Sequence, residues 1–210
     1  MKRLVFLGTG TSTGIPMIGC DCEACRSVDP RDNRWRSSVL FESDSTRVVV
    51  DTTPDFRAQC LRAGLRELDA VIITHDHADH LNGLDDVRHF TMRTGRPLPV
   101  YCNAESEPSI RQRFDYIFIG KYVGGKLPEI DLRVTDCQFS VGDFQFEPLT
   151  VYHGPKPITA LRTGRTAYVT DVSRIPPQAM ERLRGLDVLV LDAVRHRPHP
   201  THFSLPEALD

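Results

Sequence analysis

The 210-residue chain lacks any long hydrophobic run. A helix that spans a membrane needs about 20 consecutive apolar residues, and no stretch approaches that length. The start of the chain, Met1 to Leu7, places only four apolar residues after two basic ones, whereas the apolar part of a signal peptide has roughly 7–15 residues. These absences argue against a membrane protein and against a secreted one. We therefore expect a cytoplasmic location and no membrane partner.

The chain also lacks an excess of charge of either sign. Its net charge is −2, with 26 basic and 28 acidic side chains, so it has no general attraction to nucleic acids or membrane surfaces. A hydrophobic content of 40% is ordinary for a globular protein. No linker, repeat or low-complexity segment interrupts the sequence, and its length is sufficient for one sizeable core. We predict a single domain over residues 1–210, for which nucleic acid is an unfavoured partner.

A complete nucleotide-binding loop is missing as well. The glycine-rich stretch after the first predicted strand is Gly8-Thr-Gly-Thr-Ser-Thr-Gly14. Its glycine spacing differs by one position from the dinucleotide-binding fingerprint, and the Gly-Lys-Ser/Thr of a phosphate loop is absent. Because glycine lets a backbone approach a ligand closely, we interpret this stretch as a polar loop that borders a site.

The sequence is instead rich in metal-binding side chains at one place, Thr74–His80. Three of the eight histidines and two aspartates lie in this stretch, directly after the apolar run Val71–Ile73. Alternate side chains of an extended chain share a face, so His75 and His77 can bind one ion. If a helix begins next, Asp79 and His80 project from its first turn toward a neighbouring point. Imidazole and carboxylate are common ligands of catalytic metals, and the spacing favours two adjacent ions over a solvated loop.

Other predicted strands also end in histidine or aspartate. His153, Asp171 and Asp192 each follow an apolar strand pattern, and loops at strand ends converge on one face in α/β proteins. Asp51 follows a further strand, where it can either orient metal-bound histidines or cap the helix predicted over residues 54–63. The glycine-containing loop over residues 116–128 is long enough to act as a substrate flap.

Six cysteines divide into two groups. Cys60, Cys102 and Cys137 are scattered, and we interpret them as core thiols. In contrast, Cys20-x-Cys22-x-x-Cys25 places three thiols close together. Three thiolates can occupy three corners of a tetrahedral zinc site, although no nearby cysteine or histidine supplies the fourth. The alternative is three reduced thiols on a surface loop. We favour a structural zinc whose fourth ligand is unassigned.

Taken together, these motifs resemble those of a known family. Thr74–His80 resembles the H-x-H-x-D-H signature of the metallo-β-lactamase superfamily, and His153, Asp171 and the segment 199–202 follow in the order expected of it. Together with the Gly8–Gly14 loop and the three-cysteine motif, they resemble the phosphoribosyl 1,2-cyclic phosphodiesterase branch, which is associated with phosphonate breakdown and related to the tRNA 3′-end endonucleases. The resemblance covers nearly the whole chain. It implies an α/β fold, the four-layer αββα sandwich.

The resemblance also implies a ligand set and a reaction. The first metal would be held by His75, His77 and His153, the second by Asp79 and His80, with Asp171 between them. The resemblance implies manganese or zinc as the metal, and mixed imidazole and carboxylate ligands do not choose between these two. The implied reaction is hydrolysis of a small-molecule phosphodiester, such as a ribose 1,2-cyclic phosphate, through attack by metal-bound hydroxide.

A general acid is needed because the leaving alkoxide requires a proton. The resemblance places a histidine there, and His202 is our candidate, with Asp79 as a second catalytic residue. His196 and His199 are less favoured alternatives because prolines restrict the backbone beside them. Alternatively, His202 is only a polar capping residue before the next helix.

The sequence also allows alternative functions. They are a tRNA 3′-processing nuclease, a thioester or lactone hydrolase on the same fold, and a degenerate metal-binding scaffold without activity. A nuclease would carry a basic arm, for which the net charge gives no support. A homodimer is left open as the assembly.

The C-terminal end suggests a truncated chain. Ser204-Leu-Pro-Glu207 is a capping box that starts a helix, yet only three residues follow it. Members of the resembling family continue further and carry two more histidines, one for the second metal and one for the zinc. We therefore expect weak binding of the second metal and an incomplete zinc site.

Overall fold

The computed structural model describes residues 1–119 and 125–210, and these residues form eleven strands in two sheets. The first sheet contains β1 (Arg3–Gly8), β2 (Ser38–Glu42), β3 (Arg47–Val50), β4 (Ala70–Ile72), β5 (Leu98–Cys102) and β6 (Ile130–Val134). The second sheet contains β7 (Phe139–Val141), β8 (Phe144–His153), β9 (Lys156–Thr163), β10 (Thr166–Val169) and β11 (Val188–Leu191).

Each sheet combines antiparallel hairpins with parallel strands. The first has the order β1-β2-β3-β4-β5-β6, antiparallel from β1 to β3 and parallel from β3 to β6. The second has the order β11-β10-β9-β8-β7, in which only the β10–β11 pair is parallel. Parallel neighbours need crossover connections, so their carboxyl ends lie at one edge of the sheet. The catalytic candidates lie at these edges.

The crossovers supply the helices. They are α2 (Phe56–Ala63), α3 (Ala78–Leu81), α4 (Arg88–Thr94), α5 (Glu107–Arg113), α6 (Asp115–Phe118) and α7 (Pro177–Arg182), while the short α1 (Glu23–Arg26) and α8 (Leu205–Leu209) lie outside them. The helix predicted over residues 54–63 is α2, and it ends at Gly64, whose φ of 65° is the left-handed conformation typical of a helix C-terminus. No helix in the described part of the chain has the length and apolar character that crossing a bilayer requires.

Alternation of apolar side chains builds four layers. In β3, Val48 and Val50 pack between the sheets against Phe146 of β8, whereas Val49 faces the other side. On that other side Val49 shares a cluster with Phe56 of α2 and residues of the other helices on this face. Outside the second sheet, a third cluster joins residues of β8, β9 and β10 to α7. This order of helix, sheet, sheet and helix confirms the predicted αββα sandwich.

Some local predictions differ from the structure. Strands β7 and β9 were not predicted, because β7 has only three residues and β9 opens with Lys156-Pro157 and lacks a simple apolar alternation. Cys60 and Cys102 are buried as predicted, but the prediction for Cys137 is wrong, since it lies exposed between β6 and β7. Of the predicted flap over residues 116–128, residues 120–124 lie outside the described residues.

The aromatic packing between the sheets gives a stability prediction. Phe146 is completely buried, and its ring lies edge-on to Phe41 with 5.4 Å between the ring centroids. We expect Phe146→Ala to lower the free energy of unfolding by about 3–5 kcal/mol, because it removes apolar contacts and leaves a cavity. Phe6→Ala is the matched control, since Phe6 is 50% exposed, and it should cost less than about 1 kcal/mol. Equal losses in urea unfolding would contradict this assignment of the core.

Candidate metal centre

The predicted motif forms the turn between β4 and α3. Thr74 to His77 continues from the buried strand without helical structure, and α3 then begins at Ala78 with His77 at its N-cap. Asp79 and His80 therefore lie in the first turn of α3, as predicted. His75 is buried while His77 is exposed to the cavity described below, and their ring centroids are 4.5 Å apart.

Distant strand ends complete two groups of possible ligand atoms. Within each group the atoms lie within 4.8 Å of one another. The first group consists of His75, His77, His153 and Asp171, and the second of Asp79, His80 and Asp171. All six side chains are those predicted from the sequence. Asp171 belongs to both groups, which is the position that a bridging ligand requires.

The chemistry of the first group fits a metal ion. Nε2 of His75 is buried without a hydrogen-bond partner, and its nearest carboxylate oxygen, Oδ2 of Asp171, is 3.8 Å away. An unpartnered buried nitrogen is costly unless something else binds it. Burial and the neighbouring His80 hold the pKa of His75 well below its usual range, so the ring is neutral. Neutral imidazole is the form that coordinates metals.

His153 is oriented by a backbone carbonyl. Its Nδ1 donates to the carbonyl oxygen of Thr201 over 2.7 Å. Because Nδ1 therefore carries the proton, Nε2 is free to act as a ligand. The ring lies 5.1 Å from the ring of His77 and 5.6 Å from that of His75, measured between centroids.

Asp171 lies where β10 ends, in a left-handed conformation with φ of 57°. Such a conformation is uncommon for aspartate and concentrates at functional sites. Its Oδ2 is 3.1 Å from Nε2 of His80, and Thr170 donates a hydrogen bond to its Oδ1. Although burial opposes ionisation, the adjacent His80 holds the pKa of Asp171 far below its usual range. The carboxylate is therefore available as an anionic ligand.

Asp51 resolves one alternative that the sequence left open. This buried residue also has a positive φ, 67°, and its two oxygens accept hydrogen bonds from the backbone N–H and the hydroxyl of Thr74, both 2.8 Å long. Its Oδ2 is 2.7 Å from Nδ1 of His80. The residue at the N-cap of α2 is Asp55. Asp51 thus orients a candidate metal ligand and does not cap the helix.

His80 lies between two carboxylates. Burial alone would lower its pKa, but the charges of Asp171 and Asp51 outweigh this and raise the pKa well above the usual value. Nδ1 faces Asp51 and Nε2 faces Asp171 and Asp79, the latter at 3.4 Å. The ring therefore joins the end of β3, in the first sheet, to the end of β10, in the second.

His202 and Asp192 form a dyad beside this centre. Nδ1 of His202 is 2.9 Å from Oδ2 of Asp192, whose other oxygen accepts a hydrogen bond from the backbone N–H of Val172. Burial lowers the pKa of His202, but the hydrogen bond with Asp192 and the charge of Asp171 outweigh it, so the pKa is raised. A protonated imidazole is the form that a general acid needs. The ring lies 4.6 Å from that of His153 between centroids.

Neither alternative histidine has a carboxylate partner within the part of the chain that the structure describes. Nδ1 of His199 accepts a hydrogen bond from the backbone N–H of Thr201, and its ring is 4.9 Å from that of His202. Desolvation, and after it the charge of the neighbouring His202, lower the pKa of His199. His196 is exposed and does not line the cavity.

Most of the candidate ligands and the His202–Asp192 dyad open into a cavity of about 940 Å³. Its lining includes His77, Asp79, His153, Asp171 and His202. Thr9, Thr11 and Ser12 of the glycine-rich loop line another part of the wall, so this loop borders the site as predicted. A volume of this size accommodates a substrate larger than a lone phosphodiester group.

The three cysteines lie in a separate group. The Sγ atoms of Cys20, Cys22 and Cys25 lie within 4.8 Å of one another, and within the described residues the group contains no other ligand atom. The backbone N–H of Cys25 lowers the pKa of Cys22, which favours the thiolate. The backbone N–H of Met17 lies 3.3 Å from Sγ of Cys25. The geometry is compatible with the predicted zinc, which stays a prediction.

The four-layer sandwich with a histidine and aspartate centre at its strand ends defines a class, the metal-dependent hydrolases with the metallo-β-lactamase fold. The chain belongs to this superfamily, since a family model described as the beta-lactamase superfamily domain matches residues 46–210. The crystal structure of a diphosphatase from the PhnP family is similar over 100% of this chain and 81% of that one. The TM-score is 0.91 and the identity 44%.

Two further relatives have other names. An octanoyltransferase of Porphyromonas gingivalis is 41% identical over an alignment of 211 positions, which covers 99% of this chain and 42% of that protein. The chain thus spans less than half the length of this curated relative. The short form of human tRNase Z has a TM-score of 0.69, over 100% of this chain and 86% of that one, at 16% identity, which establishes a common fold alone.

Two contacts and one cavity residue are not evident from the sequence. The pairing of Asp192 with His202 joins residues ten positions apart, and the carbonyl of Thr201 that orients His153 carries no sequence signal. Arg34, which lines the cavity, was not singled out. No sequence signal points to it, because Arg34 is 20 positions from Gly14 in the chain.

The contacts of Asp51 generate a prediction about metal affinity. We expect Asp51→Asn to weaken zinc or manganese binding by about 10- to 100-fold, because an amide orients His80 less firmly and lowers its basicity. Equilibrium dialysis followed by elemental analysis measures this affinity. Asp131→Asn is the matched control, because this exposed carboxylate pairs with Arg133 far from the motif. Unchanged affinity in a folded Asp51→Asn protein would contradict the role assigned to Asp51.

Proposed function

We propose that the protein is a metal-dependent phosphoric diester hydrolase whose substrate is a small cyclic phosphodiester, such as a ribose 1,2-cyclic phosphate. The observation that carries the proposal is the arrangement in one cavity of two ligand groups that share Asp171, next to the His202–Asp192 dyad. Two adjacent cations and a general acid are what cleavage of a phosphoric ester needs. The similarity to a diphosphatase supports chemistry at phosphorus.

The residues of the two groups would hold two divalent ions, manganese or zinc. Such ions, when bound, supply positive charge for the phosphate oxygens and lower the pKa of water. His75 and His77 contribute neutral imidazoles, because burial lowers the pKa of both side chains. Asp79 and Asp171 contribute negative charge from two different elements. Asp51 and the carbonyl of Thr201 hold His80 and His153 in their orientations.

His202 is the proton donor of the proposed reaction. Its Nδ1 is held by Asp192, so Nε2 is the atom whose proton can be given to a leaving oxygen in the cavity. The raised pKa of His202 favours the protonated ring. The ring adjoins His153, which places the acid beside the first ligand group. A leaving alkoxide would thus be protonated as its bond to phosphorus breaks.

Cleavage of a diphosphate bond is the second candidate function. It is favoured by the 44% identical relative, which is described as a diphosphatase. The ligand groups and His202 would support cleavage of either a phosphodiester or a diphosphate bond, because each reaction displaces an oxygen from phosphorus. The name octanoyltransferase applies to a protein of which this chain covers 42%, so acyl transfer need not reside in the matched part. We retain a small-molecule substrate over tRNA because the net charge is −2.

A substrate panel tests the proposed function. With manganese or zinc loaded, we expect turnover of a ribose 1,2-cyclic phosphate and of bis-p-nitrophenyl phosphate. A dinucleoside diphosphate, an octanoyl thioester and precursor tRNA complete the panel. The ratio of kcat/KM for the cyclic phosphate and the dinucleoside diphosphate decides between the two candidates. Inactivity on every phosphodiester, with metal content verified by elemental analysis, would refute the proposal.

The same panel requires metal and mutational controls. A chelator should abolish turnover, and added metal should restore it. His77→Ala should reduce kcat/KM by at least about 100-fold, because it removes a ligand from the first group. His89→Ala is the matched control, since His89 is exposed on α4 and lies outside the cavity lining. Similar losses in both variants would mean that the predicted centre is not the site of turnover.

The role of His202 is tested by comparing leaving groups. We expect His202→Ala to lower kcat for the ribose cyclic phosphate by about 100- to 10,000-fold, because its alkoxide leaves only with a proton. For bis-p-nitrophenyl phosphate the loss should be less than about 10-fold, since p-nitrophenolate leaves without protonation. Steady-state kinetics at one pH measures both. Equal losses on both substrates would show that His202 is not the acid.

A further inference from the structure

Asp76 lies between His75 and His77 in the histidine motif but is not a candidate ligand. It belongs to neither of the two groups of ligand atoms described above. Its carboxylate instead forms an ion pair with Lys156, whose Nζ is 2.7 Å from Oδ1 of Asp76. Asp76 comes from the turn that follows β4 of the first sheet, and Lys156 is the first residue of β9 in the second. The ion pair therefore joins the two sheets at the motif.

Both partners of the ion pair are neighbours of candidate ligands. In the pairing of β8 with β9, Lys156 lies opposite His153. On the other side, His75 and His77 flank Asp76 directly in the chain. The three histidines of the first ligand group therefore lie next to one ion pair, with one histidine beside Lys156 and two beside Asp76.

A backbone contact holds the same stretch of the motif against β9. The backbone N–H of Thr159 donates to the carbonyl oxygen of Thr74 over 3.0 Å. Nδ2 of Asn103 donates to Oγ1 of Thr159 over 3.1 Å and so supports this contact from the first sheet. Thr74 and Asp76 are the two chain neighbours of the buried His75, and both are bound to β9. The second sheet thus fixes the chain on either side of His75.

The ion pair is shielded from solvent. The side chains of Asp76 and Lys156 are 13% and 25% exposed, whereas those of the surface pair Asp187 and Arg165 are 63% and 64% exposed. A fully exposed pair contributes little, because solvent and salt screen it. A shielded charge that loses its partner is costly, so the two groups hold each other in place more firmly than a surface pair does.

The pair can influence a cation in the first ligand group in two ways that differ in sign. Lys156 repels a cation and Asp76 attracts it, so removal of the lysine would strengthen metal binding if charge alone mattered. If the pair fixes the spacing of the histidines, loss of either side chain weakens metal binding. The contacts on both sides of His75 favour the second effect, because the ligands of a metal have to be held within about 0.5 Å of their working positions.

We propose that Asp76 and Lys156 are positioning residues: their ion pair fixes His75 and His77 of the first sheet relative to His153 of the second, and thereby sets the metal affinity of the first ligand group. The inference rests on the divalent ions of the proposed function and not on its substrate. It assigns a role to the aspartate of the motif that the ligand set leaves unexplained.

A zinc titration of metal-free protein against a chromophoric chelator tests the proposal. We expect Lys156→Met and Asp76→Asn each to weaken zinc binding to the first group by about 10- to 100-fold, as the loss of groups that orient ligands does. The double variant should bind no more weakly than either single one, because the pair is already broken. Lys156→Arg should recover most of the affinity, since it keeps the charge.

A ligand variant assigns the effect to the first group. In a His77→Ala background, where this group already lacks a ligand, Lys156→Met should weaken zinc binding no further. The absorption bands of the cobalt(II)-loaded protein give a second readout, because they report the arrangement of the ligands. We expect them to change in Lys156→Met while the circular dichroism of the metal-free protein stays that of the wild type. Should Lys156→Met not fold, Lys156→Gln takes its place, with a smaller loss of affinity expected.

The exposed pair of the second sheet supplies matched controls. Arg165→Met and Asp187→Asn remove the same kinds of charge from a pair on β10 and the residue before β11, and neither residue lines the cavity. Both variants should bind zinc with the wild-type affinity and give the wild-type cobalt spectrum. A loss equal to that of Lys156→Met would refute a specific role for the Asp76–Lys156 pair.

The remaining outcomes separate this inference from the proposed function. Tighter zinc binding in Lys156→Met would show that charge outweighs positioning, and unchanged binding in both single variants would show that the pair does not act on the ligands. Either result refutes the inference and leaves the hydrolase function standing. If the affinities fall as expected but no phosphodiester is hydrolysed by the wild type, the proposed function fails and the positioning role stands.

Discussion

The contact of His80 with the buried Asp51 and the partly buried Asp171 is the interaction on which the centre depends. One imidazole ring lies between Asp51, at the end of a strand of the first sheet, and Asp171, at the end of a strand of the second. A carboxylate in such a place is costly unless it is paired, and the two aspartates and the histidine compensate one another. The pairing therefore sets how the strand ends of the two sheets meet. The ligand groups form where they meet.

Backbone conformation contributes to the same arrangement. Asp51 and Asp171 are the non-glycine residues with positive φ in the described part of the chain; Asp51 directly follows β3, and Asp171 lies two positions after the end of β10. Strain of this kind persists where surrounding contacts compensate for it, and here hydrogen bonds to Thr74, Thr170 and His80 do so. These hydrogen bonds therefore hold both left-handed aspartates in place.

The sequence predicted the parts of the site that are local. His75, His77, Asp79 and His80 follow from one turn between a strand and a helix, and His153 and Asp171 from the apolar patterns that precede them. The four-layer fold followed from the resemblance of these motifs. Contacts between distant segments were not accessible, because no periodicity encodes which loop covers which strand end. Such contacts determine the partner of His202, the carbonyl that orients His153 and the position of Arg34. The exposed position of Cys137 was likewise not evident from the sequence.

The hydrogen bond between His153 and the carbonyl of Thr201 joins two parts of the site with different tasks. Thr201 is adjacent to His202, so one short loop both carries the proton donor and orients a candidate ligand. A substitution in this loop that shifts its backbone alters the acid and the ligand together. Substitutions there should consequently show strong epistasis with changes at His153. Fewer single substitutions should therefore be tolerated in this loop than on the helical surface of the sandwich.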